Sequence, residues 1–291
     1  MPASVRPRRS ILYMPGSNPR AMEKGRELPA DGLILDLEDA VSPDAKREGR
    51  QGIVAALEHR DAYAWRELIV RVNGLDTPWG HADLTAMARA GADAILLPKV
   101  EGADTVRRAL HVLDLAGAPA ELAIWCMIET PRGILHVEEI ADTERVVCLV
   151  MGTSDLTKDL QAHHTPSRLP MLVSLGTCLL AARAARISIL DGVHLDLADE
   201  TGFAESCLQG RDLGFEGRTL IHPKQIAPAN AAFGPTETEV SWARRIIKAY
   251  DAARAAGKGV VVVDGRLVEN LHVLEARRLV ALAEMIDARK G

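Results

Sequence analysis

The sequence predicts a (β/α)8 barrel, and three observations carry that expectation. Eight short apolar runs each end in a polar residue or a turn. Most of the segments between them have helix length and carry apolar residues at three- and four-residue spacing. The 291 residues suit one barrel of roughly 250 residues with a short extension. Near-continuous apolar strands are what a parallel sheet requires, because helices cover its outer face and side chains fill its interior.

The first strand is Ile11-Leu-Tyr-Met-Pro15 and the second Leu33-Ile-Leu-Asp-Leu-Glu38. Pro43 and Asp44 then open a helix that runs to Leu57, with the acid near the positive end of the dipole. Leu68-Ile-Val-Arg-Val-Asn73 is followed by a helix from Gly80 to Ala90, and Ala94-Ile-Leu-Leu-Pro-Lys99 by one from Asp104 to Leu115. The fifth and sixth strands are Leu122-Ala-Ile-Trp-Cys-Met-Ile-Glu129 and Val147-Cys-Leu-Val-Met-Gly152. An alanine-rich helix, Gly176 to Arg186, precedes Ser188-Ile-Leu-Asp-Gly192, and Arg218-Thr-Leu-Ile-His222 is the eighth run. After Ala227-Pro228 the pattern changes. Thr236 to Ala256 reads as one long exposed helix, broken by Gly257-Lys-Gly259. A strand-like run, Val260 to Asp264, turns at Asp264-Gly265, and a last helix extends from about His272 to Arg289. The expected division is a barrel over 1–234 and a helical extension over 235–291, either a packing and oligomerisation arm or a lid.

The totals exclude several classes. A net charge of -5 with interspersed signs, and 3% aromatic residues, argue against nucleic acid as the main partner. No run approaches the ~20 apolar residues of a membrane span, so no membrane association is expected. The four cysteines form no C-x-x-C pair, and Cys126 and Cys148 lie within apolar runs. A reduced, cytoplasmic chain without a signal peptide is expected.

Polar strand ends in such a barrel converge on one mouth, and here many are acids. Strand alternation puts Asp36 and Glu38 on one face, with Asp39 beside them. Two charges at about 5 Å and an effective dielectric of about 20 repel by roughly 3 kcal/mol, so a cation, an arginine or a proton must offset them. Arg71 ends the third strand. It could clamp a carboxylate or a developing oxyanion, or simply neutralise the acids next door. Glu129 and Asp155 end adjacent strands and make an incomplete oxygen site that suits Mg²⁺. Zinc fits less well, since no His/Cys group has its usual spacing. The nine histidines carry a weaker signal; even His222, after the last strand, reads first as structural.

Arg9-Ser-Ile-Leu-Tyr-Met-Pro-Gly16, Asp36-Leu-Glu-Asp-Ala-Val41, Arg71-Val-Asn73, Leu97-Pro-Lys99, Ile128-Glu-Thr130, Gly152-Thr-Ser-Asp-Leu156, Asp191-Gly192 and Ile221-His-Pro223 occur in this order. Together they resemble the citrate lyase β-subunit-like branch of the HpcH/HpaI aldolase family, closest in character to its malyl-CoA lyase and malyl-CoA thioesterase members. The resemblance implies a barrel of the phosphoenolpyruvate/pyruvate superfamily type with a C-terminal lid, forming a homo-oligomer, trimer or hexamer. It implies Mg²⁺-dependent chemistry on a small-molecule acyl-CoA, by C–C bond cleavage or by thioester hydrolysis. A citrate lyase β-type subunit acting on a carrier-bound citryl thioester in a heteromeric complex is the alternative. A barrel aldolase acting on free 2-oxo acids is a third reading, disfavoured by the Arg9-Ser and Asp36-Leu-Glu-Asp signatures. By resemblance Glu129 and Asp155 would hold the metal, Glu38 and Asp39 its waters, and Arg71 the substrate. Arg9, Arg20 and Lys24 would meet CoA phosphates. The lid of lyase relatives carries an aspartate in a G-x-M-[IV]-D-x-P context. Here Gly265-Arg-Leu-Val-Glu-Asn270 puts the catalytic candidate Glu269 in its place, one methylene longer and without the proline, while the Val-Glu-Asn-Leu-His run resembles the malyl-CoA thioesterase branch, so lyase and thioesterase both stay open.

Overall fold

A computed structural model describes residues 6–289. Eight parallel strands close into a barrel in chain order. They are β1 (Ser10–Pro15), β2 (Gly32–Asp36), β3 (Glu67–Arg71), β4 (Ala94–Leu97), β5 (Ala123–Ile128), β6 (Val146–Met151), β7 (Ser188–Asp191) and β8 (Gly217–Leu220). Each falls on one of the eight apolar runs. Closure comes from β8 lying beside β1, with Arg218 opposite Ser10 and Leu220 opposite Leu12.

Both faces of the strands are buried, which is why the runs show no polar alternation. Ile11, Ile34, Ile69, Leu96, Trp125, Met127, Cys148, Val150 and Leu190 fill the barrel interior as one apolar cluster. Their neighbours in sequence, among them Leu12, Leu33, Leu35, Leu68, Val70, Ile95 and Leu149, face outward into a larger cluster shared with the helices. Each fully buried Leu or Ile contributes roughly 1.5–3 kcal/mol. Helices at Lys46–Leu57, Ala103–Leu115, Leu172–Ala185 and Glu200–Leu213 cover that outer layer. The last starts where Asp199 accepts a hydrogen bond from the Gly202 N–H, and ends at Gly214, whose φ of 109° a side chain would resist.

The two ends of the barrel differ in kind. At the strand N-termini, Arg8 bonds both oxygens of Glu67 at 2.8 Å and the Ser188 hydroxyl at 2.7 Å, and stacks on Trp125. Arg9 belongs to this same end. Its Nε and Nη2 bond the buried carboxylate of Asp31 at 2.8 and 2.9 Å, and its backbone N–H adds a third bond. Arg9, which the family resemblance puts against CoA phosphates, thus precedes β1, at the end opposite the acids, and two of its guanidinium nitrogens are engaged by Asp31. Asp191 also departs from the mouth. Strand alternation turns Leu190 inward and Asp191 outward, where Arg168 binds both its oxygens at 2.6 and 2.8 Å.

The described residues divide into a barrel unit, Arg8–Phe233, and a second unit that takes Gly234 onward. In the second unit a capping box of Thr236 and Glu239 starts the helix Glu237–Ala255. A hairpin follows, β9 (Val261–Val263) and β10 (Arg266–Val268), turning at Asp264 and Gly265, both at positive φ. The second hairpin strand was not expected from the sequence. The helix Asn270–Asp287 ends the unit, whose own core is Ala243, Ile246, Tyr250, Val268, Val273 and Ala276.

Candidate active site

Five strand ends bring the candidate residues together. Asp36 and Arg71 are the last residues of β2 and β3 and face each other in register. Arg71 donates from Nε and Nη2 to the two oxygens of Asp36, at 2.7 and 2.6 Å. Asp36 also accepts from the Glu38 and Ala40 N–H groups, so its lone pairs are fully used. The third guanidinium nitrogen of Arg71, Nη1, lies 2.8 Å from Glu38 Oε2 and 3.6 Å from Asp39 Oδ2. The ring of Tyr13 packs on the same guanidinium at 4.8 Å. Burial works against the charge on Arg71, but Asp36 and Glu38 hold its pKa well above the ordinary value. Arg71 thus pairs with the neighbouring acids in this structure.

The loop after β2 is fixed by Lys46, which the sequence did not single out, and by Asn73, which ends the third apolar run. Lys46, buried on the following helix, donates to the carbonyls of Leu37 and Glu38 at 2.8 Å and to Asn73 Oδ1 at 2.7 Å. Burial lowers its pKa. Asn73 in turn donates to Leu37 O and to Asp83, which Arg50 also binds. Asn73 thus braces loops beside the site.

Lys99 is the other residue that sequence reasoning left without a role. It lies two residues beyond β4 with φ at 48°, a conformation a non-glycine residue rarely holds. Its N–H donates to Glu129 Oε1 at 2.7 Å and its Nζ to Glu38 Oε1 at 2.8 Å. Partial desolvation pulls the ammonium pKa down, but the bond and charge of Glu38 leave it above the ordinary lysine value. The Leu97-Pro-Lys99 strand end was the available signal, since a charged residue there must stand at the mouth.

Glu129 follows β5 directly and is 1% exposed. Burial first, and then the negative charge of Glu38 with a further contribution from Asp155, pushes its pKa up to about 7. Its carboxylate fits only because residue 152 is glycine. A Cβ on Gly152 would overlap the Glu129 side chain and lie 2.6 Å from its Oε2. Asp155 stands in the first turn of the helix Thr153–Asp159, half-buried. Burial also raises the pKa of Glu38, although Arg71 and Lys99 oppose the shift.

Asp36, Glu38, Asp39, Glu129 and Asp155 thus meet Arg71, Lys46 and Lys99, with more carboxylates than cations. Asp36 is satisfied by Arg71, whereas Glu129 receives one N–H on Oε1 and is held above the ordinary carboxylate range by burial and by the charge of Glu38. That donor set, hard oxygens with no nitrogen or sulfur, is chemistry suited to a small divalent cation. Among the described residues no group of three or more His, Cys, Asp or Glu side chains could hold a metal. A cation here would therefore take one or two carboxylates from the protein and complete its shell with water or substrate.

Arg20 and Lys24 are exposed on the helix Pro19–Gly25, which leaves the C-terminal end of β1. Glu269 belongs to the second unit, preceding the helix Asn270–Asp287, and its N–H donates to His272 Nδ1 at 3.0 Å. His222 caps the turn Pro223–Gln225 by accepting from the Lys224 N–H, a structural use.

A scan of known protein families matches residues 9–223 to the HpcH/HpaI aldolase/citrate lyase family. The chain belongs to the HpcH/HpaI aldolase/citrate lyase family. Within it, the chain is 49% identical to a (3S)-malyl-CoA thioesterase of Cereibacter sphaeroides (strain KD131 / KCTC 12085), over 99% of both chains. It is 36% identical to citrate lyase subunit beta of Escherichia coli (strain K12), over 98% of this chain and 96% of that one. Among solved structures, protein CitE from Mycobacterium tuberculosis, in complex with magnesium, acetoacetate and coenzyme A, superposes with a TM-score of 0.76 at 28% identity. That match covers 97% of this chain and 99% of the other. RipC from Yersinia pestis matches with a TM-score of 0.68 at 30% identity, over 81% of this chain and all of that one. HpcH/HpaI membership agrees with the eight-stranded barrel and the family resemblance read from the sequence. Among the described residues no helix is long and apolar enough to cross a membrane.

Proposed function

We propose that this protein hydrolyses the thioester of malyl-CoA or a closely similar 3-hydroxyacyl-CoA, with Mg²⁺ held by Glu129 and Asp155. One observation carries the reading: a buried, cation-deficient carboxylate site at the barrel mouth, in a chain that is 49% identical end to end to (3S)-malyl-CoA thioesterases. Magnesium is present in the CitE complex that shares the fold, which supports the metal assignment.

Mg²⁺, when bound, supplies Lewis-acid polarisation of a substrate oxygen. Glu129 is set for it by the Lys99 N–H on one oxygen and by the space at Gly152 near the other. Glu38 and Asp39 hold the water that attacks the thioester carbonyl carbon. Glu38 takes the proton from that water, and its pairs with Arg71 and Lys99 keep it in place. Addition of the water oxygen to the carbonyl carbon gives a tetrahedral adduct, whose collapse restores the C=O bond and breaks the C–S bond, and the proton passes on to the leaving CoA sulfur. The Asp36–Arg71 pair keeps this wall of the site rigid. Arg20 and Lys24 provide exposed positive charge on the helix after β1 for the CoA phosphates. Carbon–carbon cleavage is the second reading, favoured by the 36% identity to citrate lyase subunit beta.

Incubation of the purified chain with malyl-CoA and Mg²⁺, followed by product analysis, tests the assignment. Malate with free CoA is expected. Glyoxylate with acetyl-CoA would replace hydrolysis by cleavage. If neither forms, the assignment falls and a carrier-bound acyl thioester becomes the substrate to examine.

A further inference from the structure

Most of the Arg71 guanidinium is already engaged within the protein. Its Nε and Nη2 are spent on Asp36, its Nη1 lies against Glu38, the Tyr13 ring covers its face, and its side chain is 9% exposed. Lys99 presents the opposite picture. Its side chain is 51% exposed, and Glu38 Oε1 takes one of the three N–H donors of the ammonium. Two donors remain for the mouth.

The backbone strengthens the contrast. At φ 48° glycine would be the unstrained choice, yet the chain places lysine there. Backbone strain of this kind persists where the surroundings over-determine a residue, and it clusters at functional sites. Here the surroundings are two acids of the site: the Lys99 N–H fixes Glu129 while its Nζ reaches Glu38. One residue therefore places a positive charge within a side chain's length of the metal-binding carboxylate, and leaves that charge partly open to solvent.

We propose that Lys99 binds the free carboxylate of the substrate's acyl chain, and so selects CoA monothioesters of dicarboxylic acids over those of monocarboxylic acids. The assignment rests on the reading of the site as an acyl-CoA site. It adds a carboxylate contact at Lys99 to the substrate contact that the family resemblance puts at Arg71. A residue that merely braced Glu38 would affect all acyl-CoA esters alike; a carboxylate receptor distinguishes them.

The test compares wild type, Lys99→Met and Lys99→Arg as purified full chains with Mg²⁺. The KM for malyl-CoA is measured beside the inhibition constant of 3-hydroxybutyryl-CoA, whose acyl chain ends in a methyl group. In Lys99→Met the KM for malyl-CoA should rise roughly 10- to 100-fold, the size of one charge-assisted hydrogen bond. The inhibition constant of the neutral ester should change less than about twofold, and Lys99→Arg should recover most of the loss. Mg²⁺ affinity by calorimetry should hold, since a backbone N–H makes the Glu129 bond in every variant. An unchanged KM, or a parallel shift for both esters, overturns the proposal. If wild type turns over no malyl-CoA, the hydrolase reading falls by itself. Lys99 is then decided by the calorimetric Kd values of the same two esters, which are not consumed; failure to bind either would overturn both assignments.

Discussion

Gly152 and Glu129 form the tightest constraint in the site. A buried carboxylate of unmet charge needs both a donor on one oxygen and room at the other, and the missing side chain at 152 provides the room. Gly152→Ala should therefore displace Glu129 and weaken Mg²⁺ binding by tenfold or more, measured by calorimetry, with overpacking costing about 1–3 kcal/mol of stability. Unaltered Mg²⁺ affinity in a folded Gly152→Ala protein would remove Glu129 from the metal site. Arg71 and Asp36 teach a different lesson at the same scale. A buried ion pair is weak evidence of net stability, because desolvation offsets its attraction. Its use here is geometric: it cancels the charge of Asp36 and holds the Arg71 guanidinium beside Glu38.

At the scale of the element, strand direction decides which ends do chemistry. The residues before β1 and those after it lie at opposite ends of a six-residue strand, so Arg9 and Arg20 have different fates. Arg9→Ala strips two hydrogen bonds from the buried Asp31 and should cost on the order of 1–3 kcal/mol, seen as a lower Tm. Its KM for malyl-CoA should stay within about twofold of wild type. Arg20→Ala, on the helix that leaves the other end of β1, should raise that KM with little change in Tm. The reverse pattern would return Arg9 to the CoA site. The same directional logic explains Asp191, which alternation turns toward the helices and Arg168.

Across the whole molecule, the site acids make folding stability depend on pH and metal. The pKa of Glu129 is about 7 in the metal-free fold, above the usual glutamate value of 4.5, because burial and Glu38 disfavour its charge. Between those two values the folded chain binds more protons than the unfolded one, so stability falls as pH rises through this window. Glu38 shifts in the same direction. Metal-free protein should therefore lose stability, by up to a few kcal/mol, between about pH 4.5 and 7 as far as these groups govern it. Above pH 7 the lost stability should return on adding Mg²⁺, which takes the place of the proton. Denaturant unfolding of wild type and Glu129→Gln, with and without Mg²⁺, checks this; a metal response that Glu129→Gln leaves intact would count against the site.

The sequence by itself determined the barrel, the order of its strands and the family, because these rest on local properties. Runs buried on two faces must be apolar throughout, and amphipathic segments of helix length must lie between them. It also determined which acids stand at strand ends, since position along a run fixes that. Only the tertiary structure decided which acids are spent and which are available. Arg71 and Asp36 are 35 residues apart, and Lys99 and Glu38 are 61 apart. Whether such groups meet depends on register across neighbouring strands and on the backbone angles of the loops that follow them. That is why Lys99, Lys46 and Gly152 carried no legible role, and why the partners of Arg9 and Arg71 could not be named from the sequence. Residue type records what chemistry is possible; register and closure select the partners that use it up.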